Sequence, residues 1–162
     1  MENMKLNNNL ECPMLGLGTF MLSPEDAYTS TLEALKMGYS LIDTANAYVN
    51  ERAVGRAIKD SGIDRKNIFL STKIWASEYE NENTVEETLE RLGVDYVDLL
   101  YIHQPVPDTE CLKKRIERAK QNPLVSRILK ENIWKSWKQS GKLYLSLFRW
   151  KHIHISHRKN FV

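Results

Sequence analysis

Strand-like and helix-like segments alternate along most of this sequence, and three chemically distinctive residues recur at one interval. Asp43, Lys73 and His103 lie thirty residues apart, each at or near the end of an apolar run. A strand, its crossover helix and their connections together take roughly thirty residues. We therefore expect an acid, a cation and an imidazole at one level on successive parallel strands, where a catalytic site would explain their polarity.

Short polar signals delimit the elements between these strands. Ser23 predicts the start of a first helix, which Gly38 ends. Asn50 is predicted to cap a second helix, and Thr84 with Glu87 three residues later reads as a capping box for a third. The resulting order β-α-β-α-β-α-β predicts a parallel sheet with right-handed crossovers.

The predicted strands give the fold class. Repeated βα units of this kind close into an eight-stranded barrel whose active sites lie at the C-terminal mouth, and such a barrel typically needs about 250 residues. The chain has 162 residues. We therefore predict an α/β fold of the parallel (β/α)8 TIM-barrel type, truncated to roughly its first four βα units plus a basic tail. The predicted strands span residues 14–19, 39–44, 68–75 and 97–103, after a hairpin of residues 5–6 and 10–14.

Charge divides the chain into segments. Residues 1–108 carry 9 Lys and Arg against 18 Asp and Glu, whereas residues 109–162 carry 14 against 3. The regular alternation of strand and helix also weakens after residue 107. We therefore predict the N-terminal half of a barrel at 1–108, a helical continuation at 109–142 and an atypical basic tail at 143–162.

Composition argues against several classes of function. No apolar run approaches the roughly 18 residues of a membrane span, and the first residues lack a signal-peptide pattern. Cys12 and Cys111 are far apart, and the histidines of the tail lack companion ligands at metal-site spacing. The basic tail has no aromatic repeats that would indicate nucleic-acid binding. We expect a cytoplasmic protein with reduced thiols, no metal site, and no nucleic-acid or membrane partner.

The side chains near the strand ends suggest a specific chemistry. Tyr48 follows the second predicted strand, and a free tyrosine with a pKa of about 10 is a poor proton donor near neutrality. Lys73 on the neighbouring strand would lower that pKa, with Asp43 as its counter-charge. His103 can hydrogen-bond and orient a carbonyl oxygen. These groups can polarise and protonate a C=O bond, so the two electrons must come from a hydride-bearing cofactor.

Four linked segments follow one another along the sequence: LGLGTF at 15–20, GYSLIDTA at 38–45 with Glu51 and Val54-Gly55 after it, TKIW at 72–75 and DLLYIH at 98–103. Together they resemble segments of the aldo-keto reductases. The resemblance covers about residues 5–107, and several motifs in the right order are far more specific than any single motif. Ser40 departs from the pattern, because Arg is usual there.

The resemblance implies a (β/α)8 barrel that uses NADPH to reduce aldehydes and ketones through an Asp-Tyr-Lys-His tetrad. Residue by residue, the tetrad falls on Asp43, Tyr48, Lys73 and His103. Tyr48 would be the general acid and Lys73 the group that tunes it. Asp43 would be the partner of Lys73, and His103 would orient the substrate.

The same resemblance implies binding residues around the tetrad. Phe20 and Trp75 match positions that wall the substrate pocket, together with the tyrosine and the histidine of the tetrad. Gly18, Thr19 and Asp43 match positions near the nicotinamide and its ribose.

The later part of the family pattern is not found in this sequence. A weak similarity remains at 133–142, but the next family strand and the basic loop that grips the adenosine phosphates are missing. We interpret this as a truncation or a reading-frame change near Lys142. We expect a reductase of a small carbonyl compound that the truncation impairs. The alternative is a catalytically inactive fragment or a non-catalytic binding subunit, self-associating through exposed barrel edges.

Each candidate residue also has an ordinary structural interpretation. Asp43 can be a loop or cap residue, Lys73 can extend its ammonium to the surface, and His103 can be a core histidine. Tyr48 and the two aromatic residues of the expected pocket can simply pack. The regular spacing and the linked motifs together favour the catalytic interpretation.

Overall fold

Four parallel strands form the centre of the computed structural model, which describes residues 2–6 and 11–103. The strands lie side by side in chain order, β3-β4-β5-β6, and a separate antiparallel hairpin, β1-β2, precedes them. The structure confirms the predicted α/β order, and each parallel strand lies within its predicted range. The elements are β1 Asn3–Lys5, β2 Glu11–Pro13, β3 Leu17–Gly18, α1 Pro24–Lys36, β4 Leu41–Asp43, α2 Glu51–Asp60, β5 Phe69–Ile74, α3 Thr84–Leu92 and β6 Leu99–Ile102.

The register of the strands corrects one expectation. Asp43 lies opposite Ser71, and Ser71 lies opposite Leu99, so the pairing repeats every 28 residues. The reactive residues repeat every 30, which displaces Lys73 and then His103 by two further residues along each strand. The prediction of one shared level is therefore wrong in detail. Strands in a barrel are tilted and staggered, and a shift of two keeps the side chains on one face of the sheet.

The helix starts confirm one capping prediction and correct two. Ser23 caps α1, since its hydroxyl accepts a hydrogen bond from the Asp26 backbone N–H. Asn50 holds the N-cap position of α2, but its side chain makes no capping bond to the helix. The cap of α3 is Asn83 rather than Thr84, so the predicted capping box does not form. The causes differ: the Asn50 side chain bonds to Thr19, Leu22 and Thr44 instead, whereas Thr84 lies one residue inside the helix with its hydroxyl buried and unpaired among the described residues.

Two apolar layers cover the faces of the sheet. On the outer face, Ile42 and Leu70 pack among the helices. On the inner face, Leu41, Phe69 and Leu99 form a layer across β4, β5 and β6, which Cys12 of the hairpin joins. Because side chains alternate along a strand, the inner layer continues upward into the polar residues at the strand ends.

The described residues contain no helix long and apolar enough to cross a bilayer. The predicted helical continuation at 109–142 and the predicted basic tail at 143–162 lie outside the described residues.

Helices α2 and α3 cross at close range at Gly55. A Cβ atom at this position would overlap the backbone carbonyl of Leu92. The same helix pair is joined by an ion pair between the Glu51 carboxylate and Arg91 Nε, 2.7 Å apart. Gly55 is therefore required because a side chain at this position would not fit between the two helices.

We predict that Gly55→Ala destabilises the protein. In an open helix this change would stabilise by about 0.5–1 kcal/mol, but overpacking against a backbone carbonyl typically costs about 1–3 kcal/mol. Urea unfolding of Gly55→Ala should therefore give a lower free energy of unfolding than the unmodified chain. Lys59→Ala at an exposed position of α2 is the matched control, expected within about 0.5 kcal/mol. An equal or higher stability for Gly55→Ala would contradict the close crossing.

Candidate active site

An ion pair links the carboxyl ends of β4 and β5. Lys73 Nζ lies 2.6 Å from Asp43 Oδ2 and donates a second hydrogen bond to the Thr44 carbonyl at 2.8 Å. The other carboxylate oxygen of Asp43 accepts from Ser71 Oγ at 2.6 Å. Both charged side chains are only 17% exposed, so the pair needs these extra bonds to offset lost hydration. The ammonium is therefore held in one place on the inner face of the sheet.

The Tyr48 ring lies above this ammonium. Tyr48 ends a single 3₁₀ turn, Asn46–Tyr48, in the loop after β4. Asn46 Oδ1 accepts from the Trp75 backbone N–H at 2.9 Å and ties the turn to the end of β5. Lys73 Nζ is 5.0 Å from the centre of the Tyr48 ring. The loop and the neighbouring strand thus bring a phenol and an ammonium together, as expected.

The electrostatics of Tyr48 differ from the expectation. Burial of the half-buried phenol, with a smaller contribution from the Asp43 carboxylate, raises the pKa of Tyr48 to about 12. The prediction that Lys73 lowers this pKa is therefore wrong for this arrangement. The physical reason is that Asp43 lies against Lys73 and offsets its positive charge at the phenol, while burial disfavours the phenolate. Tyr48 consequently stays protonated at neutral pH.

His103 completes the group on the far side of β5. It follows β6, and its backbone N–H donates to the Ile74 carbonyl at 3.0 Å. Its ring lies edge-on to Trp75 at 4.8 Å and to Tyr48 at 5.6 Å between centroids. Burial, and then the Lys73 charge, lower the pKa of His103 below its usual value. The imidazole is therefore neutral at pH 7.

The ring nitrogens of His103 have different surroundings. Nδ1 is buried and has no hydrogen-bond partner among the described residues. A buried N–H without an acceptor is the rarer arrangement in proteins, so we assign the proton of the neutral ring to Nε2. This tautomer makes Nε2 the hydrogen-bond donor of the imidazole.

The two expected wall residues flank the tetrad. The Phe20 ring lies 5.1 Å from the Tyr48 ring and is 54% exposed. Trp75 packs against His103 on the other side. Met21 and Val49, both largely exposed, add apolar surface beside Phe20 and Tyr48 in the sequence. The edge of this group is therefore aromatic and apolar.

The residues expected near a cofactor have contrasting surroundings. Gly18 pairs with Asp43 in the register of β3 and β4, is exposed, and has no atom within 4 Å of where a Cβ would lie. Thr19 is fully buried, and its hydroxyl bonds to the Asp43 carbonyl and to Asn50. Open space therefore lies beside Gly18, whereas the Thr19 side chain is enclosed by protein.

Sequence reasoning missed three polar residues around the tetrad, namely Ser71, Asn46 and Asn50. Ser71 lies two residues before Lys73 on the same strand face, so alternation along β5 could have identified it. Asn46 and Asn50 lie in or after the loop that carries Tyr48, and no sequence signal shows their partners. Within residues 2–6 and 11–103, no group of three or more His, Cys, Asp or Glu is arranged to hold a metal ion.

We predict that His103 titrates below 6.5 and that its two charged neighbours shift its pKa in opposite directions. Lys73→Met should raise the pKa, because an ammonium that disfavours imidazolium is removed, and Asp43→Asn should lower it. Since protonation favours the unfolded state, the stability contributed by this group is present above pH 6.5 and is lost as the pH falls through the folded pKa.

NMR of the imidazole protons during a pH titration measures these shifts, with His103→Gln to assign the resonance. Lys36→Met, at an exposed position on α1, is the matched control and should leave the pKa unchanged. Equal values in the Lys73 and Asp43 variants would contradict the electrostatic coupling.

The sequence profile of the Aldo/keto reductase family matches residues 14–144. Aldehyde reductase YPR1 of Saccharomyces cerevisiae is 49% identical over 105 residues, covering 64% of this chain and 34% of the relative. Glycerol 2-dehydrogenase (NADP(+)) of the same yeast is 48% identical over 103 residues, covering 63% of this chain and 33% of the relative. The chain thus spans about a third of the length of these curated relatives.

Solved structures agree with the sequence relatives. A crystal structure of an aldo-keto reductase from a Medee basin deep-sea metagenome library has a TM-score of 0.68 at 43% identity, covering 76% of this chain and 47% of the other. That of an aldo/keto reductase from Brucella melitensis has a TM-score of 0.72 at 38% identity, covering 87% and 59%. Since the family profile extends over most of the sequence and the strands follow those of solved members, this chain belongs to the aldo/keto reductase family.

Proposed function

We propose that the chain carries the catalytic centre of a carbonyl reductase that uses NADPH to reduce a small aldehyde or ketone. The observation that carries the proposal is the Lys73 ammonium, fixed by Asp43 and the Thr44 carbonyl 5.0 Å from the Tyr48 ring centre. His103 lies beside the same ring. Family membership supports an oxidoreductase, and the four side chains supply the proposed roles.

His103 and Tyr48 act on the carbonyl oxygen. A neutral imidazole with its proton on Nε2 donates a hydrogen bond to this oxygen and orients the C=O bond. Tyr48, which remains protonated at neutral pH, gives its proton to the oxygen as it becomes an alkoxide. Lys73 Nζ, 5.0 Å from the ring centre, attracts the phenolate that remains and partly offsets the burial and the Asp43 charge that disfavour it. Asp43 keeps that charge fixed between reactions.

The described residues fit the reactive end of a nicotinamide cofactor. Gly18 has open space beside it, and its strand partner in the register is Asp43. A planar ring can approach a backbone closely only where no side chain intervenes, and Gly18 meets that condition. When bound, the cofactor would supply the hydride that these side chains cannot provide. Thr19 would contribute only by holding the backbone, because its side chain is enclosed.

The apolar edge of the site supports a substrate with a hydrophobic portion. Phe20 and Trp75 stand on either side of the Tyr48 and His103 rings. Covering the exposed Phe20 and the accessible part of the partly buried Trp75 with an apolar group contributes roughly 25 cal/mol for each Å² removed from water. We therefore propose aryl or alkyl aldehydes and ketones as the substrate class.

A catalytically inactive fragment or non-catalytic binding subunit is the second candidate function. The observation that favours it is length, because the chain spans about a third of the curated relatives. Within the described residues, β3 and β6 each pair with one other strand of the sheet. Self-association along those edges is the interaction that we propose for this alternative.

We predict weak NADPH binding by a chain of these 162 residues. The family's basic loop that grips the adenosine phosphates is not found in these 162 residues. Each charge-assisted hydrogen bond to a phosphate contributes about 1.5–3 kcal/mol. The loss of three such bonds therefore weakens NADPH binding by about three to six decades. Fluorescence titration with NADPH should therefore give a dissociation constant far above the micromolar range.

Residual binding should depend on the open space at Gly18, which Gly18→Val would fill, since a Cβ atom there meets no atom within 4 Å. A micromolar dissociation constant, or binding unaffected by Gly18→Val, would contradict this prediction.

We predict that Tyr48→Phe lowers the turnover of a generic aldehyde at high NADPH by at least about 100-fold, because general acid catalysis contributes about 10²–10⁴. NADPH oxidation followed by absorbance measures the effect. Tyr28→Phe is the matched control, since the Tyr28 hydroxyl bonds to Asp60 at the surface, and it should keep full activity. Activity retained in Tyr48→Phe would contradict the proposed acid. An unmodified chain without activity at any NADPH concentration would instead favour the inactive fragment or subunit.

A further inference from the structure

Asn50 makes four hydrogen bonds, three of them buried, with the loops that surround the tetrad. Its Oδ1 accepts from Thr44 Oγ1 at 3.1 Å and from Thr19 Oγ1 at 3.4 Å. Its Nδ2 donates to the carbonyls of Thr19 at 2.9 Å and Leu22 at 3.1 Å. The residue is 1% exposed. All the hydrogen-bonding capacity of the amide is thus used between elements, and none is used to cap α2.

These bonds join the two loops that carry the aromatic residues of the site. Thr19 and Leu22 bracket Phe20 and Met21, which follow β3. Asn50 itself comes two residues after Tyr48, so the bonds to Thr19 and Leu22 hold the Phe20 loop against the Tyr48 loop. The resulting contact is the 5.1 Å approach of the Phe20 and Tyr48 rings.

The same amide is connected to the ammonium through one residue. Thr44 gives its hydroxyl hydrogen to Asn50 and its carbonyl oxygen to Lys73 Nζ. The backbone N–H of Thr44 donates to the Ser71 carbonyl, which places Thr44 beside the ion pair. Asn50 therefore fixes the orientation of a peptide that directly binds Lys73.

We propose that Asn50 is a positioning residue for the reaction. By holding the loops after β3 and β4 together, it sets the positions of the Tyr48 and Phe20 rings relative to the Lys73 ammonium. This inference rests on the proposed function. The inference goes beyond the proposed function, because it assigns a role in the reaction to a residue outside the four proposed catalytic side chains.

A purely structural role is the competing interpretation, and the two differ in what they change. If Asn50 only stabilised the fold, its replacement would lower the unfolding temperature and leave the geometry of the folded site intact. If Asn50 positions the loops, the folded variant has displaced rings and a slower chemical step.

The experiment compares Asn50→Ala and Thr44→Val with Ser61→Ala in the full chain. Thr44→Val removes one hydrogen bond to the amide while keeping the side-chain shape and the carbonyl for Lys73, so it remains informative if Asn50→Ala does not fold. Ser61→Ala removes two bonds at the opposite end of α2 and is the control for lost stability.

Two measurements are made on each variant. The first is the NMR cross-relaxation between the Phe20 and Tyr48 rings and between the Tyr48 and His103 rings, which needs no turnover. The second is the kcat and KM for aldehyde reduction. We expect the variants of Asn50 and Thr44 to lose at least half of the Phe20–Tyr48 cross-relaxation. We also expect kcat to fall about tenfold in Asn50→Ala, with KM changed less than threefold.

The outcomes separate this inference from the proposed function. Weakened cross-relaxation in the Asn50 and Thr44 variants, together with no activity in the unmodified chain, would support the clamp of the loops while overturning the proposed reductase. Intact cross-relaxation in the folded variants, or an unchanged kcat in an active chain, would overturn the positioning role. A loss of the same size in Ser61→Ala would also overturn it.

Discussion

The ion pair between Asp43 and Lys73 is the interaction on which the mouth of this fold depends. Two opposite charges at 17% exposure have lost much of their hydration, and a single contact rarely compensates for that loss. Ser71 and the Thr44 carbonyl supply the additional hydrogen bonds. Because these partners come from β4 and β5 and the residue after β4, the pair fixes the ends of both strands. The Tyr48 ring therefore packs over a Lys73 ammonium whose position is fixed.

The same pair determines which protonation states the site holds. A lone ammonium would make the Tyr48 phenol more acidic, but the adjacent carboxylate offsets that effect, and burial raises the pKa of the phenol to about 12. Burial and Lys73 together lower the pKa of His103. Near neutrality, both uncharged rings therefore retain a proton to donate. The attraction of the cation for the phenolate is outweighed at Tyr48 by burial and by the Asp43 carboxylate, so the net effect is a raised pKa.

Sequence reasoning predicted the strand order and which polar side chains would meet near the strand ends, because apolar runs and their polar ends are encoded locally. It failed where geometry between distant elements decides. The candidate residues recur every 30 residues along the chain, whereas the strands pair every 28, so Lys73 and His103 are staggered. Asn50 and Thr84 have the residue types of helix caps, yet tertiary partners claim Asn50, and Asn83 holds the cap position of α3. A capping motif identifies a side chain that can bond to the helix N-terminus, but tertiary contacts decide whether that hydrogen bond forms.

Two consecutive buried polar residues explain how an exposed turn can hold a reactive side chain steadily. Asn50 bonds to residues that follow β3 and β4, and Glu51 accepts from Thr72 of β5 and from Arg91 of α3. The chain between β4 and α2 is thus anchored at its end to the loops after two strands, to a third strand and to a helix. Val49, just before this anchor, adopts a left-handed conformation with φ 57°, which is costly for a β-branched residue. Such strain persists only where surrounding bonds over-determine the backbone, and the paired anchors supply that constraint directly after Tyr48.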